Sequence, residues 1–363
     1  MSSEQATEQR LRDALRSDIH RGDLWQTLTR EMREIRDFYI SQEKKEKLHK
    51  MGYMKRAFYY TWWIFKSMLL KLTPFRRILL VIGIFLVFFN PEMNAEGVQI
   101  RNVDFMGSLL VLLVLMLELK DKLLARDELE AGRKVQQALM PERNQSLPGW
   151  VLWIYTRPAN EVGGDLVDFL SLDSNSAVVT LADVSGKGLK AALLTAKIQA
   201  TVRALAPDFR SLSKLVAKIN AIFHRDRLPN FFASLLYVEL KSNSGKVRYV
   251  NAGHYPPVLL HGAKLDQMEK GEAALGIVAS TSYKEQTVTM KKDETFVAYS
   301  DGVTEACNMQ GQFFGAERLM SLLSANSHLS PQSLGEKIVN DVDRFVGDAY
   351  RSDDLSLVIV KKG

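Results

Sequence analysis

Residues 177–196 read AVVTLADVSGKGLKAALLTA, an apolar strand-like run that passes into a helix-like one, with Asp183, Gly186 and Gly188 between them. Glycine-rich turns between a strand and a helix are places where backbone amides can face a phosphate, and equally places where strands simply end. A P-loop would carry glycine five residues before its Gly-Lys pair and Ser or Thr after it. Here Leu181 and Gly188 hold those positions, so that motif is excluded. What Asp183 faces must be read from the rest of the chain.

With 363 residues, 25% charged and 46% hydrophobic, the chain has ordinary globular composition and length for one large or two modest domains. Its single cysteine, Cys307, excludes an intramolecular disulfide and fits a reducing compartment. The net charge of +6 is local, because residues 41–56 hold six Lys/Arg against two Glu. No aromatic-interleaved basic groove accompanies this run, so nucleic acid is not the expected partner, and the apolar, aromatic-rich sequence that follows favours a membrane. The charge-free runs Ile78–Phe89 and Phe105–Leu117, 12 and 13 residues, fall short of the roughly 20 that a span needs. Their flanks argue the other way: Arg76 and Arg77 can snorkel, Tyr59, Tyr60, Trp62 and Trp63 resemble an interfacial belt, and the Asn90–Asp104 loop is poor in Lys/Arg. The expectation is a membrane-associated helical hairpin with both ends cytoplasmic, anchoring the chain to the inner (cytoplasmic) membrane. The competing reading is a soluble helical domain whose apolar faces pair in a dimer. The highly charged first fifty residues show no cleavable signal peptide.

The chain divides into a cytoplasmic helical region (1–56), the hairpin (57–119), a connecting helix and linker (120–146) and a larger domain (147–363). Glu4–His49 has one broad apolar face at helical spacing. The connecting helix runs to Pro141 with a stripe including Leu124, Ala131, Val135 and Leu139, interrupted by Glu128 and weakened by Gly132. A solvated linker and a signal-carrying coiled coil that makes a homodimer both fit it. From Leu147 the texture becomes short strands (VLWIYT, AVVTLAD, FFASLLYVEL, VRYVN, QTVTM, TFVAYSD, LSLVIVK), with helices at Leu189–Leu205, Leu212–Phe223, Ala316–Ala325 and Pro331–Val346. Consecutive, alternating strands favour antiparallel sheets covered by helices, an α+β class.

Carboxylates recur at strand ends beside glycine or in pairs: Asp165 in EVGGDLVDF, Asp183, Asp301 in FVAYSDGVTEA, and Asp353 with Asp354 in YRSDDLSLVIV. One alone is a normal turn residue. If a shared sheet edge gathers them, they cannot all stay ionised without cations between them. Hard oxygen ligands without cysteine or clustered histidine suit Mg²⁺ or Mn²⁺, and a two-ion centre suits phosphoryl transfer to water. Ser185 has no evident His/Asp pair, Cys307 has no marked partner, and His254 in NAGHYPPVLL reads as structural.

The six segments EVGGDLVDF, LADVSGKGLKAALLTA, VRYVNAGHYPPVLL, ALGIV, YSDGVTEACNMQGQFFGAERL and SDDLSLVIV, in this order, resemble the metal-dependent Ser/Thr protein phosphatases (PPM), and within them the bacterial SpoIIE-type branch. The resemblance covers about Val135 to Lys361. It implies an αββα sandwich of two antiparallel sheets with two Mn²⁺ or Mg²⁺ ions at one edge. By motif, Asp183 would bridge both ions with the Val184 carbonyl as a further ligand. Asp165, Asp301 and Asp353 would complete the centre, with Asp354 in support. Gly164, Ser185, Gly186, Lys187, Gly188 and Gly302 would lie near the phosphate, the glycines keeping side chains away from it. Ser185 stands where larger members carry a histidine thought to protonate the leaving group, which leaves that proton to water or another residue. The implied substrate is phosphoserine or phosphothreonine on a partner protein, such as an anti-sigma-factor antagonist. The alternative is an inactive pseudophosphatase that serves as a binding scaffold.

Overall fold

The computed structural model describes residues 32, 40, 47–48, 51–89, 93–95, 98–100, 103–226 and 229–363. The helix predicted over Glu4–His49, apart from residues 32, 40, 47 and 48, and half of the basic run lie outside the described residues. The chain forms two compact units, Met1–Leu123 and Leu124–Gly363.

In the first unit, α1 (Tyr53–Lys71) ends before Pro74, which opens α2 (Pro74–Phe89) at the helix position that proline tolerates best. A short antiparallel pair, β1 (Met93–Ala95) with β2 (Val98–Ile100), precedes the 37-residue helix α3 (Val103–Leu139). Helix α2 meets the first turns of α3 through glycines: a Cβ on Gly107 would stand 2.7 Å from the Gly83 carbonyl oxygen. Arg76 at the other end of α2 bonds Glu118 at 2.8 Å and Asp121 at 2.7 Å. Among the described residues no helix is long and apolar enough to cross a membrane. At 1.5 Å per residue, the 16 residues of α2 reach only about 24 Å against the roughly 30 Å of a hydrocarbon core. The apolar run of α3 soon meets Glu118, Lys120 and Asp121. Yet the side chains of this unit stay conspicuously bare to solvent: Phe58, Trp62, Phe75, Ile78, Phe88 and Leu109 are all exposed.

The second unit takes α3 from Leu124 onward, and the helix stops two residues before Pro141, as the steric demand of X-Pro dictates. It then alternates strands and helices: β3 (Asn144–Leu147), β4 (Trp150–Arg157), β5 (Asp165–Asp173), β6 (Ser176–Val184), α4 (Leu189–Leu205), α5 (Leu212–Asp226), β7 (Ala233–Lys241), β8 (Lys246–Ala252), β9 (Val258–His261), β10 (Lys264–Gln267), β11 (Gln286–Thr289), β12 (Thr295–Tyr299), α6 (Ala316–Ala325), α7 (Pro331–Val346) and β13 (Leu355–Lys362). Two antiparallel sheets result, with strand orders β10-β9-β12-β13-β4-β3 and β11-β8-β7-β6-β5. Helices α4 and α5 cover the five-stranded sheet through Ile198, Val202, Leu215 and Ile219, and α6 and α7 cover the six-stranded one through Leu319, Leu323, Leu334 and Ile338. Between the sheets lies a third apolar layer that includes Val179, Leu181, Leu236, Phe296 and Val358. The unit is thus the expected αββα sandwich. Strands β3, β5, β9 and β10 were not among those predicted.

The two-residue period of β6 decides the site. Val178, Ala182 and Val184 face the helices, while Ala177, Val179 and Leu181 face the opposing sheet, so Asp183 follows on the inter-sheet side at the edge. Close packing elsewhere is unforgiving. A Cβ on Gly335 of α7 would overlap the indole of Trp153 on β4. Gly335→Ala is expected to destabilise the protein by about 1–3 kcal/mol in chemical denaturation; an unchanged midpoint would mean that Trp153 can withdraw freely.

Candidate metal and phosphate site

Asp165 and Asp183 are direct cross-strand partners at the paired ends of β5 and β6, and Ser234 of β7 stands opposite Asp183 on its other side. Three strands therefore carry Asp165, Asp183 and Ser234 in one row on the inter-sheet face. The other sheet contributes Asp301, two residues after β12, and Asp353 with Asp354, just before β13. All five carboxylates that the sequence singled out meet at this edge.

Their electrostatics record the meeting. Burial pushes the Asp183 carboxyl up to about 7, with further push from Asp301, Asp353 and Asp354. Burial likewise raises Asp301 to about 6, reinforced by Asp353 and Glu305. Asp165, 3% exposed, is held well above the usual carboxylate range by burial and then by Asp183 and Asp354, which the hydroxyls of Ser356 and Ser300 relieve only in part. One of its oxygens, Oδ2, is buried with no hydrogen-bond partner. An orphaned carboxylate oxygen among like charges, in a set made of hard oxygen donors, fits a small divalent cation. Asp165, Asp183, Asp301, Asp353 and the Val184 carbonyl could hold one or two such ions.

Among the described residues, however, no three acidic, histidine or cysteine side chains are gathered closely enough to grip one ion. Two of the expected ligands are engaged elsewhere. Asp353 Oδ2 lies 3.2 Å from Lys187 Nζ. Asp354 accepts backbone N–H bonds from Ala159 at 2.7 Å, Gly164 at 2.6 Å and Asp165 at 3.2 Å. Asp354 is thus a clamp that ties the lead-in of β13 to the loop before β5 and to the first residue of that strand.

The glycines divide by purpose. A Cβ on Gly302 would overlap the Asp354 carbonyl, one on Gly163 would sit 2.7 Å from Asp354 Oδ2, and one on Gly164 3.1 Å from the Val184 carbonyl. These three serve close packing of the site's own backbone, a role the sequence did not announce for Gly164 and Gly302. Gly186 and Gly188 adopt φ of +93° and +73° in the turn between β6 and α4, and nothing lies within 4 Å of the Gly188 Cβ position. Ser185 is bound at both its groups, its N–H to the Phe232 carbonyl and its hydroxyl oxygen to the Phe232 N–H, each at 2.9 Å.

Sequence reasoning missed several supporting residues. Gln136 of α3 grips Gly163 with both ends of its amide, donating to the carbonyl at 2.9 Å and accepting from the N–H at 3.1 Å. Thr195 Oγ1 donates to the Gly164 carbonyl at 2.7 Å. Both partners are backbone, so no side-chain pattern could have announced them. His254 is buried, with Nδ1 at 2.8 Å from Ser234 Oγ, and burial lowers its pKa to about 4. The structural reading of that histidine agrees with this placement.

A sequence profile of the family described as "Stage II sporulation protein E (SpoIIE)" matches residues 173–362, more than half of the 363-residue chain. The chain belongs to the SpoIIE family. It is 26% identical over 267 residues to Protein IcfG of Synechocystis sp. (strain ATCC 27184 / PCC 6803 / Kazusa), covering 65% of this chain and 41% of IcfG. It is 24% identical over 241 residues to phosphoserine phosphatase RsbU of Bacillus subtilis (strain 168), covering 65% of this chain and 70% of RsbU. The match thus spans less than half of IcfG. In fold, the SiaA-PP2C domain of Pseudomonas aeruginosa aligns with a TM-score of 0.58 at 17% identity, over 67% of this chain and 99% of that domain. By family the chain is SpoIIE, and by fold its second unit is PP2C-like.

Because Asp183 and Asp301 bind protons more tightly folded than unfolded, their contribution favours the fold fully below pH about 4 and is lost as pH rises toward 7. With chelator present, the full chain should melt at higher temperature at pH 5 than at pH 7.5, and Asp183→Asn should flatten that slope. A melting temperature that rises across this window and is insensitive to Asp183→Asn would contradict the repulsion.

Proposed function

We propose that this SpoIIE-family chain is a metal-dependent protein phosphatase that hydrolyses phosphoserine or phosphothreonine on a partner protein, an anti-sigma-factor antagonist being the expected kind. The observation that carries the reading is the meeting of Asp165, Asp183, Asp301 and Asp353 at one sheet edge with Asp165 Oδ2 buried and unpaired. Retaining so costly a cluster makes no sense for a binding scaffold. When bound, a Mn²⁺ or Mg²⁺ pair would supply an activated water and neutralise charge on the phosphoryl oxygens.

The chain's own residues do the rest. Asp183 and Asp165 fix the floor of the centre from two adjacent strands, and Asp301 and Asp353 close it from the other sheet. The Gly186–Gly188 turn leaves backbone, not Cβ atoms, toward the approaching phosphate. Ser185 Oγ accepts from the Phe232 N–H, and protonation of the departing oxygen falls to water or another residue. We place the first unit at a membrane, anchoring the phosphatase domain on the cytoplasmic side, because its Phe, Trp, Ile and Leu side chains are exposed among the described residues. The connecting helix would pair two copies and gate the site.

Two measurements test these readings. Phosphate release from a phosphoserine peptide by the full chain should require Mn²⁺ or Mg²⁺, stop with chelator, and fall by about a hundredfold or more in Asp183→Asn without loss of helical and strand signal. Activity that survives chelator or the substitution would refute the centre, and metal binding without turnover would favour the scaffold. In flotation with vesicles, the full chain should rise with the lipid and a chain truncated before Leu124 should not; a full chain left at the bottom would refute membrane attachment.

A further inference from the structure

Among the described residues, Lys187 bonds across the two sheets to a carboxylate assigned to the metal centre. It projects from the β6–α4 turn of the five-stranded sheet, flanked by Gly186 and Gly188, and reaches the lead-in of β13 in the other sheet. There its ammonium donates to the Ser352 carbonyl and lies 3.2 Å from Asp353 Oδ2. The nearby Arg157 makes a different kind of contact, forking both guanidinium nitrogens onto Asp343 at 2.8 and 2.7 Å. A fork of that sort fixes geometry, whereas an ammonium on a four-carbon stem is a movable point charge. Both members of the Lys187–Asp353 pair are open to water, 52% and 39% exposed, so their attraction is modest and reversible.

Position gives this pair its meaning. Asp353 is one of the carboxylates assigned to the metal centre, and its oxygen is turned to Lys187. We propose that Lys187 is a resident counter-cation, a tethered positive charge that neutralises Asp353 until a divalent ion displaces it. The inference rests on the metal-centre reading and goes beyond it in naming a residue that sets how tightly the centre loads. Seating the ion breaks the ammonium's contacts with Asp353 and Ser352, and Lys187 swings outward into the open space beside Gly188. The charge serves a second purpose, because without it Asp183, Asp301 and Asp353 would repel one another unrelieved.

Calorimetric titration of Mn²⁺ into the full chain, with Lys187→Met and Lys187→Arg alongside, tests the inference. Removing the competitor and its repulsion of the incoming ion should tighten binding about three- to tenfold in Lys187→Met. Lys187→Arg, which keeps the charge, should stay near the parent. Affinity unchanged or weakened in Lys187→Met overturns the proposal, even where that variant's KM for phosphopeptide rises, since the lysine then belongs to the substrate's phosphate. Absence of Mn²⁺ binding in the parent and in Lys187→Met alike would overturn the metal centre and this inference together, an outcome separable from intact binding that Lys187 fails to influence.

Discussion

The site exists because Asp354 holds two sheets together against the charges at their edge. Three backbone amides, of Ala159, Gly164 and Asp165, converge on its carboxylate, and hydrogen bonds from amides to an ionised acceptor are among the strong ones. Asp354 leads into β13 of the six-stranded sheet, and its donors lie on the loop before β5 of the five-stranded one and at the first residue of that strand. Without this staple, mutual repulsion among Asp165, Asp183, Asp301 and Asp353 would push the sheets apart at the edge where they are needed close. The glycines follow from the same constraint. Gly163, Gly164 and Gly302 let backbone run against backbone or carboxylate, and a methyl group at any of them would press on the staple or its neighbours.

Much of the sandwich was legible because periodicity and burial agree. The helices Leu189–Leu205, Ala316–Ala325 and Pro331–Val346 occupy the predicted residues, and β6 begins one residue before the predicted run and ends one after it. Strand β5 was missed for a physical reason. Asp165 and Asp168 interrupt its apolar pattern, yet the two serve opposite faces: Asp165 turns to the inter-sheet edge, while Asp168, 2% exposed, is satisfied by a forked contact from Arg203 of α4 at 2.8 and 2.6 Å. A sequence pattern reads two such aspartates as a turn, because the arginine that makes one of them tolerable in a core lies 35 residues away. The four-residue strands β3, β9 and β10 had too few residues to establish a period.

The candidate ligands were legible by type and place, but their present engagements were not. Asp353 and Asp354 are neighbours of one kind in the sequence, and the structure gives one a lysine and the other three amides. That division follows from the pleat: Asp354 shares the inter-sheet face of β13 with Ser356 and Val358, whereas Asp353 falls on the side of Leu355, toward the open margin where Lys187 can reach.

Helix α3 enters the same network from outside. Gln136 matches both hydrogen-bonding groups of the Gly163 peptide unit, and Gln199 of α4 donates to the Leu139 carbonyl at 3.0 Å, so the last turns of α3 are bonded to the loop and the helix that frame Asp165. One turn earlier, on the same face, stands Gly132, whose Cβ position is 4.0 Å from Val162 and therefore has room for a methyl group. Packing does not demand this glycine; its effect is to loosen the helix by about 1 kcal/mol relative to alanine just before the residues that grip the site. The turn at 132 is therefore weaker than packing requires, while the turn after it is held by both bonds of Gln136 to the Gly163 peptide unit.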